Sequence, residues 1–289
     1  MTTYTALTTL RDKNDSDALA AMLEHMQPEP TGVGVFEVED GSGTWEVGGY
    51  FTERPDEAGL ILLAAMHNAR PFVVSKVEDR DWVAQVRREL TPVYAGRFVV
   101  FGGHDKDTIP SNLIHLEIEA AMAFGTGHHG TTQGCLMSLD KLVTQGLQAD
   151  NVADIGCGTG VLAMAAASVW PCATLAADID PIATATARAN VRANGLGNRI
   201  NCYTSVGFRS EALRKHAPYD LIFANILAGP LKRLAPDMAM HTARGSVLIL
   251  SGILNRQALG VETMYKSWGF HRRDRLVIGE WTTLTLERG

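Results

Sequence analysis

The sequence predicts a doubly wound, mostly parallel seven-stranded α/β sheet preceded by a small α+β domain, and three observations support this. From Val152 onward, apolar strand-like runs alternate with helical stretches. The first of these strands enters a glycine-rich turn, and the chain closes with two strand-like runs that have no helix between them. Regular βα alternation implies parallel strands covered on both faces, whereas two adjacent strands without a crossover imply an antiparallel edge hairpin.

The elements follow in order. Strands are expected at 151–156, 173–179, 200–205, 219–225 and 244–251, separated by helices at 160–169, 181–194, 209–216, 229–241 and 254–267. The closing strands are expected at 270–278 and 281–286. Ahead of these, a strand at 4–10, a helix at 15–26, strands at 32–38 and 45–51 joined by a turn at 39–43, a helix at 57–68 and a strand at 72–77 give the order β-α-β-β-α-β. That order suggests a split βαβ, ferredoxin-like sheet with two helices on one face. A short helix at 79–90 carrying Trp82 and Val86, and a strand at 93–101, follow. The expected domains are 1–78, a connection over 79–110, and 111–289.

Composition sets the outer bounds. The 289 residues, 46% hydrophobic and 20% charged, suffice for two domains with their own cores. Cys135, Cys157, Cys172 and Cys202 stand far apart without a CxxC pair, which argues for a reduced chain and against a disulfide framework or a zinc site. Asp12, Lys13, Asp15 and Asp17 interrupt the start of the chain, so no secretory segment is expected there. The most apolar stretch, 161–177, is broken by Pro171, so no membrane span is expected and the cytoplasm is the anticipated compartment. Residues 1–58 hold three basic and twelve acidic side chains, net −9, which leaves +3 for the rest of a chain whose total is −6. Such a front end repels nucleic-acid phosphates and attracts a basic protein, and it serves equally as a solvated surface.

The chemistry is concentrated in the second half. Asp154-Ile155-Gly156-Cys157-Gly158-Thr159-Gly160-Val161 reads GxGxG, with Val161 where a dinucleotide fingerprint would place its third glycine. A nicotinamide dinucleotide brings a pyrophosphate to a helix N-terminus. S-adenosylmethionine brings instead an ammonium, a carboxylate, a sulfonium and a ribose diol. Asp154 is suited either to hold the ammonium or to order the loop, and Gly156 and Gly158 let backbone flank the methionyl part. At the tip of the next strand, Asp178 falls 22 residues after Gly156, in place for ribose hydroxyls. Asp180 precedes Pro181, the pattern of a helix N-cap followed by proline at the first helical position, so the ribose is assigned to Asp178. Asn225 ends the fourth strand. Its amide can position a nucleophilic amine and touch cofactor, or simply serve the turn before the helix near Pro230.

Together these segments resemble the ribosomal protein L11 methyltransferase family. The resemblance runs from about Trp82 to the C-terminus and rests on four motifs in order. They are Ala123-Phe124-Gly125-Thr126-Gly127-His128-His129-Gly130-Thr131-Thr132, the Asp154–Ala163 loop, Asp178-Ile179-Asp180-Pro181, and Asn225-Ile226-Leu227-Ala228-Gly229-Pro230-Leu231. The stretch Ile114–Met122 departs from the family's usual I-x-L-D-P-G run. The resemblance implies methylation of lysine and α-amine groups of ribosomal protein L11 with S-adenosylmethionine as cofactor. It also implies an N-terminal domain that recognises the substrate protein, and a 125–132 loop folded over the cofactor with Thr131 and Thr132 beside it. His128 and His129 are expected as loop residues, His129 near the site, and no metal is expected. Rival readings are a methyltransferase of the same fold acting on another protein lysine or a small amine, a silent cofactor-binding module, and a nicotinamide dehydrogenase.

Overall fold

The computed structural model describes residues 3–30, 32–37, 43–77, 92–118 and 129–289. The chain divides into two compact units, Met1–Val86 and Arg87–Gly289.

In the first unit, β1 (Thr3–Leu10) leads to α1 (Lys13–Leu23), β2 (Gly32–Glu37), β3 (Trp45–Phe51), α2 (Glu57–Met66) and β4 (Val73–Val77). Both helices start on an aspartate. Asp12 accepts from the N–H groups of Asn14 and Asp15 at 2.8 and 3.0 Å, and Asp56 accepts from that of Ala58 at 3.1 Å. The strands form one antiparallel sheet in the order β2-β3-β1-β4, the ferredoxin-like arrangement expected. Its core gathers Ala6, Leu10, Val47 and Phe51 from one sheet face with Leu19 and Leu23 of α1 and Leu60 and Leu63 of α2. Strand alternation sends Leu7 and Tyr50 to the opposite face, where Tyr50 is exposed.

The second unit opens with β5 (Val93–Ala95), β6 (Phe98–Phe101) and β7 (Ile114–Glu117), a three-stranded sheet in that order. The single strand expected at 93–101 is therefore a hairpin. Gly96, with φ of 59°, turns the chain in its middle. Part of the stretch read as a connection thus forms sheet within this unit. The helix expected at 79–90 lies outside the described residues.

Then come α3 (His129–Thr144), β8 (Asn151–Ile155), α4 (Val161–Val169), β9 (Ala173–Asp178), α5 (Pro181–Ala193), β10 (Ile200–Thr204), α6 (Glu211–His216), β11 (Tyr219–Asn225), α7 (Ala228–Met240), β12 (Thr242–Leu254), α8 (Ala258–Ser267), β13 (Phe270–Ile278) and β14 (Trp281–Arg288). The sheet order is β10-β9-β8-β11-β12-β14-β13, with β8 to β12 parallel and β14 antiparallel to both neighbours. The terminal hairpin does more than extend the edge: its second strand inserts between β12 and β13. The reversal of strand order at β8 and β11 creates a crevice at the carboxyl ends, where ligands of such sheets bind.

Two cores lie on opposite faces of this sheet. Val152, Leu221 and Phe223 pack beneath α3 and α4, while Ala153, Ile222 and Ala224 pack beneath α7 and α8. Among the described residues no helix is long and apolar enough to cross a membrane.

Candidate functional site

The chain leaves β8 through three glycines with positive φ, Gly156 at 77°, Gly158 at 53° and Gly160 at 78°. This left-handed backbone carries a steric cost of roughly 1–2 kcal/mol per residue for side chains with a Cβ. The turn is pinned to the neighbouring strand, since the N–H groups of Gly156 and Cys157 both donate to the Ala177 carbonyl, at 2.7 and 3.0 Å. A Cβ on Gly156 would collide with the Ile226 side chain, and one on Gly158 would meet nothing within 4 Å. The first glycine is thus a packing requirement, whereas the second leaves open space beside the backbone.

Asp154 points from β8 toward α4 and is 1% exposed. Gly160 begins α4 without a side chain to cap it, and Asp154 does so from the preceding strand, its Oδ2 accepting from Ala163 N–H at 3.0 Å. Its Oδ1 is buried and has no hydrogen-bond partner among the described residues. Burial, with a smaller contribution from nearby Asp178, pushes the carboxyl up to about 7 against the pull of the Ala163 N–H. The Cys157 thiol is likewise pushed upward, first by burial and then by Asp154 and Asp178, so it is no thiolate nucleophile at neutral pH.

The two acids after β9 divide as expected in one respect. Asp180 caps α5, accepting from Ile182 N–H at 2.8 Å with Pro181 in the first helical turn. Asp178 accepts from Gly158 N–H at 2.9 Å and Asp180 N–H at 3.0 Å, which ties the glycine turn to the tip of the second strand.

On the other flank, Asn225 ends β11 on the sheet face that carries Leu221 and Phe223, and its Nδ2 lies 3.3 Å from Thr131 Oγ1 and 3.4 Å from Thr132 Oγ1. Both threonines are buried in the first turn of α3. The loop expected to run through Thr132 is therefore helical from His129. Burial of Cys135, Leu136, Leu139 and Leu142 drives this helix despite its glycine- and threonine-rich start. Residues 119–128, including His128, lie outside the described residues.

A cavity of about 460 Å³ joins these parts. Thr131, Thr132, Asp154, Gly156, Gly158 and Asn225, separated by up to 94 positions in the chain, line it together. Asp178 is not among the described lining residues and reaches the cavity through Gly158. Leu162, Ile226, Leu227, Gly252 and Trp281 are among the other residues of its wall. Leu162 belongs to the glycine-loop motif, whereas Gly252 and Trp281 fall outside every motif of the sequence. Gly252 has a φ of 78°, and a Cβ there would strike the Ile226 carbonyl, so Gly156 and Gly252 grip Ile226 from two sides. A lone glycine at the end of the apolar 247–253 run was the available signal. Trp281 reaches the cavity only because β14 inserts beside β12, which residue spacing does not reveal.

Among the described residues lining the cavity none is Lys or Arg, and Asp154 is the one carboxylate. The wall thus suits a ligand bearing a positive charge on a largely apolar body, and it lacks the cationic side chains that would assist a pyrophosphate. Among the described residues no group of three or more His, Cys, Asp or Glu is placed to hold a metal ion.

A doubly wound sheet with an inserted antiparallel last strand, a GxGxG turn and an acid at the next strand tip defines an S-adenosylmethionine-dependent methyltransferase. The fold matches the crystal structure of ribosomal protein L11 methylase from Lactobacillus delbrueckii subsp. bulgaricus with a TM-score of 0.61 and 24% identity, covering 69% of this chain and 98% of that one. The family model described as Ribosomal protein L11 methyltransferase (PrmA) matches residues 6–289. Curated proteins named Ribosomal protein L11 methyltransferase include one from Bradyrhizobium diazoefficiens, 44% identical over 260 residues, 89% of this chain and 87% of that one. Another, from Rhizobium rhizogenes, is 39% identical over 284 residues, 97% of each chain. This chain belongs to the ribosomal protein L11 methyltransferase family.

Proposed function

We propose that this protein transfers methyl groups from S-adenosylmethionine to amine nitrogens of ribosomal protein L11, on lysine side chains and the N-terminal α-amine. The observation that carries this reading is the single cavity uniting the glycine turn, a buried carboxylate with a spare oxygen, and Asn225.

The residues present fit the cofactor. The spare Oδ1 of Asp154 is an acceptor awaiting a donor, and an ammonium supplies one while restoring the charged carboxylate. The open space at Gly158 admits the methionyl chain beside the backbone. The hydroxyls of Thr131 and Thr132 are assigned to the methionyl carboxylate, and Asp178 to the ribose diol. When bound, S-adenosylmethionine supplies an electrophilic methyl on a sulfonium.

The protein's part is to bind, orient and desolvate. A lysine amine must be neutral to attack, and the apolar wall of Leu162, Ile226, Leu227 and Trp281 disfavours its ammonium form. Asn225, at the cavity wall, accepts an N–H of the amine through its carbonyl oxygen and so aims the nitrogen lone pair. The spare Oδ1 of Asp154 is assigned to the cofactor ammonium, and the described wall offers no other carboxylate or imidazole. The amine proton therefore leaves to water before transfer rather than to a dedicated base.

The first unit is assigned to recognition of the protein substrate. Its net acidity attracts a basic ribosomal protein, and the four buried, unpaired cysteines suit a reducing cytoplasm. The test is incubation with isotope-labelled S-adenosylmethionine and unmethylated L11 beside other basic proteins and small amines. Label on L11 lysines and its α-amine is the expected result. Label on another protein or amine alone, or cofactor uptake without transfer to any acceptor, would overturn it.

A further inference from the structure

Helix α2 is apolar on all sides. Between Glu57 and Arg70 the sequence has no Asp, Glu, Lys or Arg. Leu60, Leu63 and Ala64 fill the core beneath the helix, and the opposite side presents Ile61, Leu62 and Met66 at 69%, 62% and 58% exposure. Helical geometry places Ala58, Ile61, Leu62, Ala65 and Met66 on one contiguous face. On a solvated helix that face carries polar residues, and an exposed apolar patch rimmed by charge marks an interaction site.

The charges around the patch decide what fits it. Met26, just past the end of α1, approaches Gly59, so the C-terminal end of α1 with exposed Glu24 adjoins the first turn of α2. Exposed Glu53 and Asp56 lie just before that turn. The Arg54 cation is already bound to Glu57 and the Lys13 cation to Asp17. The edge of the patch at the first turn of α2 is therefore acidic, like residues 1–58 as a whole, whereas exposed Arg70 follows the other end of the helix. A second copy meeting the patch through its own α2 would bring the same acidity and be repelled, whereas a basic protein would be steered onto it.

We propose that the outer face of α2 is a docking surface for the basic protein substrate, with Ile61 and Leu62 as apolar anchors beside an acidic edge. This rests on the reading of L11 as substrate and deepens it by naming the contact face. Direct binding of L11 to the intact chain, and its methylation, are measured separately for the native protein, Ile61→Glu, Leu62→Glu, and Val73→Glu on the edge strand β4. Because Ile61 and Leu62 point outward, their variants are expected to keep the native melting temperature and affinity for S-adenosylhomocysteine. The proposal expects both to weaken L11 binding about tenfold or more, with kcat at saturating L11 within about twofold, while Val73→Glu binds as the native chain does. Unchanged binding in the α2 variants, an equal loss in Val73→Glu, or a native dimer that the α2 variants dissociate without affecting L11 binding would each overturn it. If L11 binds through α2 but receives no methyl group, the functional reading falls and the docking face stands.

Discussion

Helices α2 and α4 are both almost wholly apolar, yet one hides every side chain of its first two turns and the other leaves half of its surface in water. Residues Val161–Ala167 of α4 are all buried, enclosed by the large sheet, α3 and β7. Among the described residues, α2 rests on a four-stranded sheet with α1 beside it. Sequence alone does not separate the two cases. An all-apolar helix belongs in an interior, and α4 finds that interior within its own unit. The exposed side of α2 is the corresponding surface still open to a partner. In the second unit apolar content builds a rigid floor for the cavity; in the first it offers an adhesive surface.

The comparison can be broken or sharpened by substitution. Met164→Ala in α4 is expected to cost roughly 2–5 kcal/mol in denaturant unfolding, because a fully buried side chain leaves a cavity. A loss below about 1 kcal/mol would show that α4 is not the packed floor described. Asn225→Ala is expected to keep the fold and, at saturating cofactor, to lower turnover by about 100-fold through lost alignment. Full turnover with unchanged cofactor affinity would remove Asn225 from the positioning role.

The third test concerns pH. Asp154 titrates near 7 in the folded chain, against about 3.9 when unfolded. The folded chain therefore keeps a proton that the unfolded chain releases. This contribution to stability is complete below about pH 4 and is lost as pH rises through about 7. Asp154→Asn keeps an oxygen for the Ala163 N–H and removes the titration, so its stability profile should be flatter across that window by about 1 kcal/mol or more. Parallel profiles would contradict the burial argument. Ile61→Ala in α2 is the smallest expected change, within about 0.5 kcal/mol in the same unfolding experiment, because its side chain is already in water.

Much of this architecture was legible in the residues. The β-α-β-β-α-β order and the sheet from Asn151 onward followed from periodicity, and the Asp180-Pro181 pair marked a helix start that the hydrogen bond to Ile182 bears out. The features that residue spacing does not carry depend on contacts between distant segments. The helix at 129–144 begins with glycine and threonines that read as loop, and only burial against the sheet makes it helical. The hairpin at Gly96 was hidden in a continuous run of strand-forming residues. Trp281 enters the cavity wall through insertion of β14, and Gly252 through close approach of the Ile226 carbonyl. For Asp154 the sequence offers two tasks, ordering the loop and holding the ammonium. The structure gives it the ordering one directly and leaves its second oxygen available for the other.

The most direct measurement is calorimetric titration of S-adenosylmethionine, and of its demethylated product, into the native protein and Gly156→Val. The native chain should bind each at one site. The variant, forced to place a branched side chain at positive φ against Ile226, should bind neither measurably. A correctly folded native chain that takes up neither compound would contradict the account.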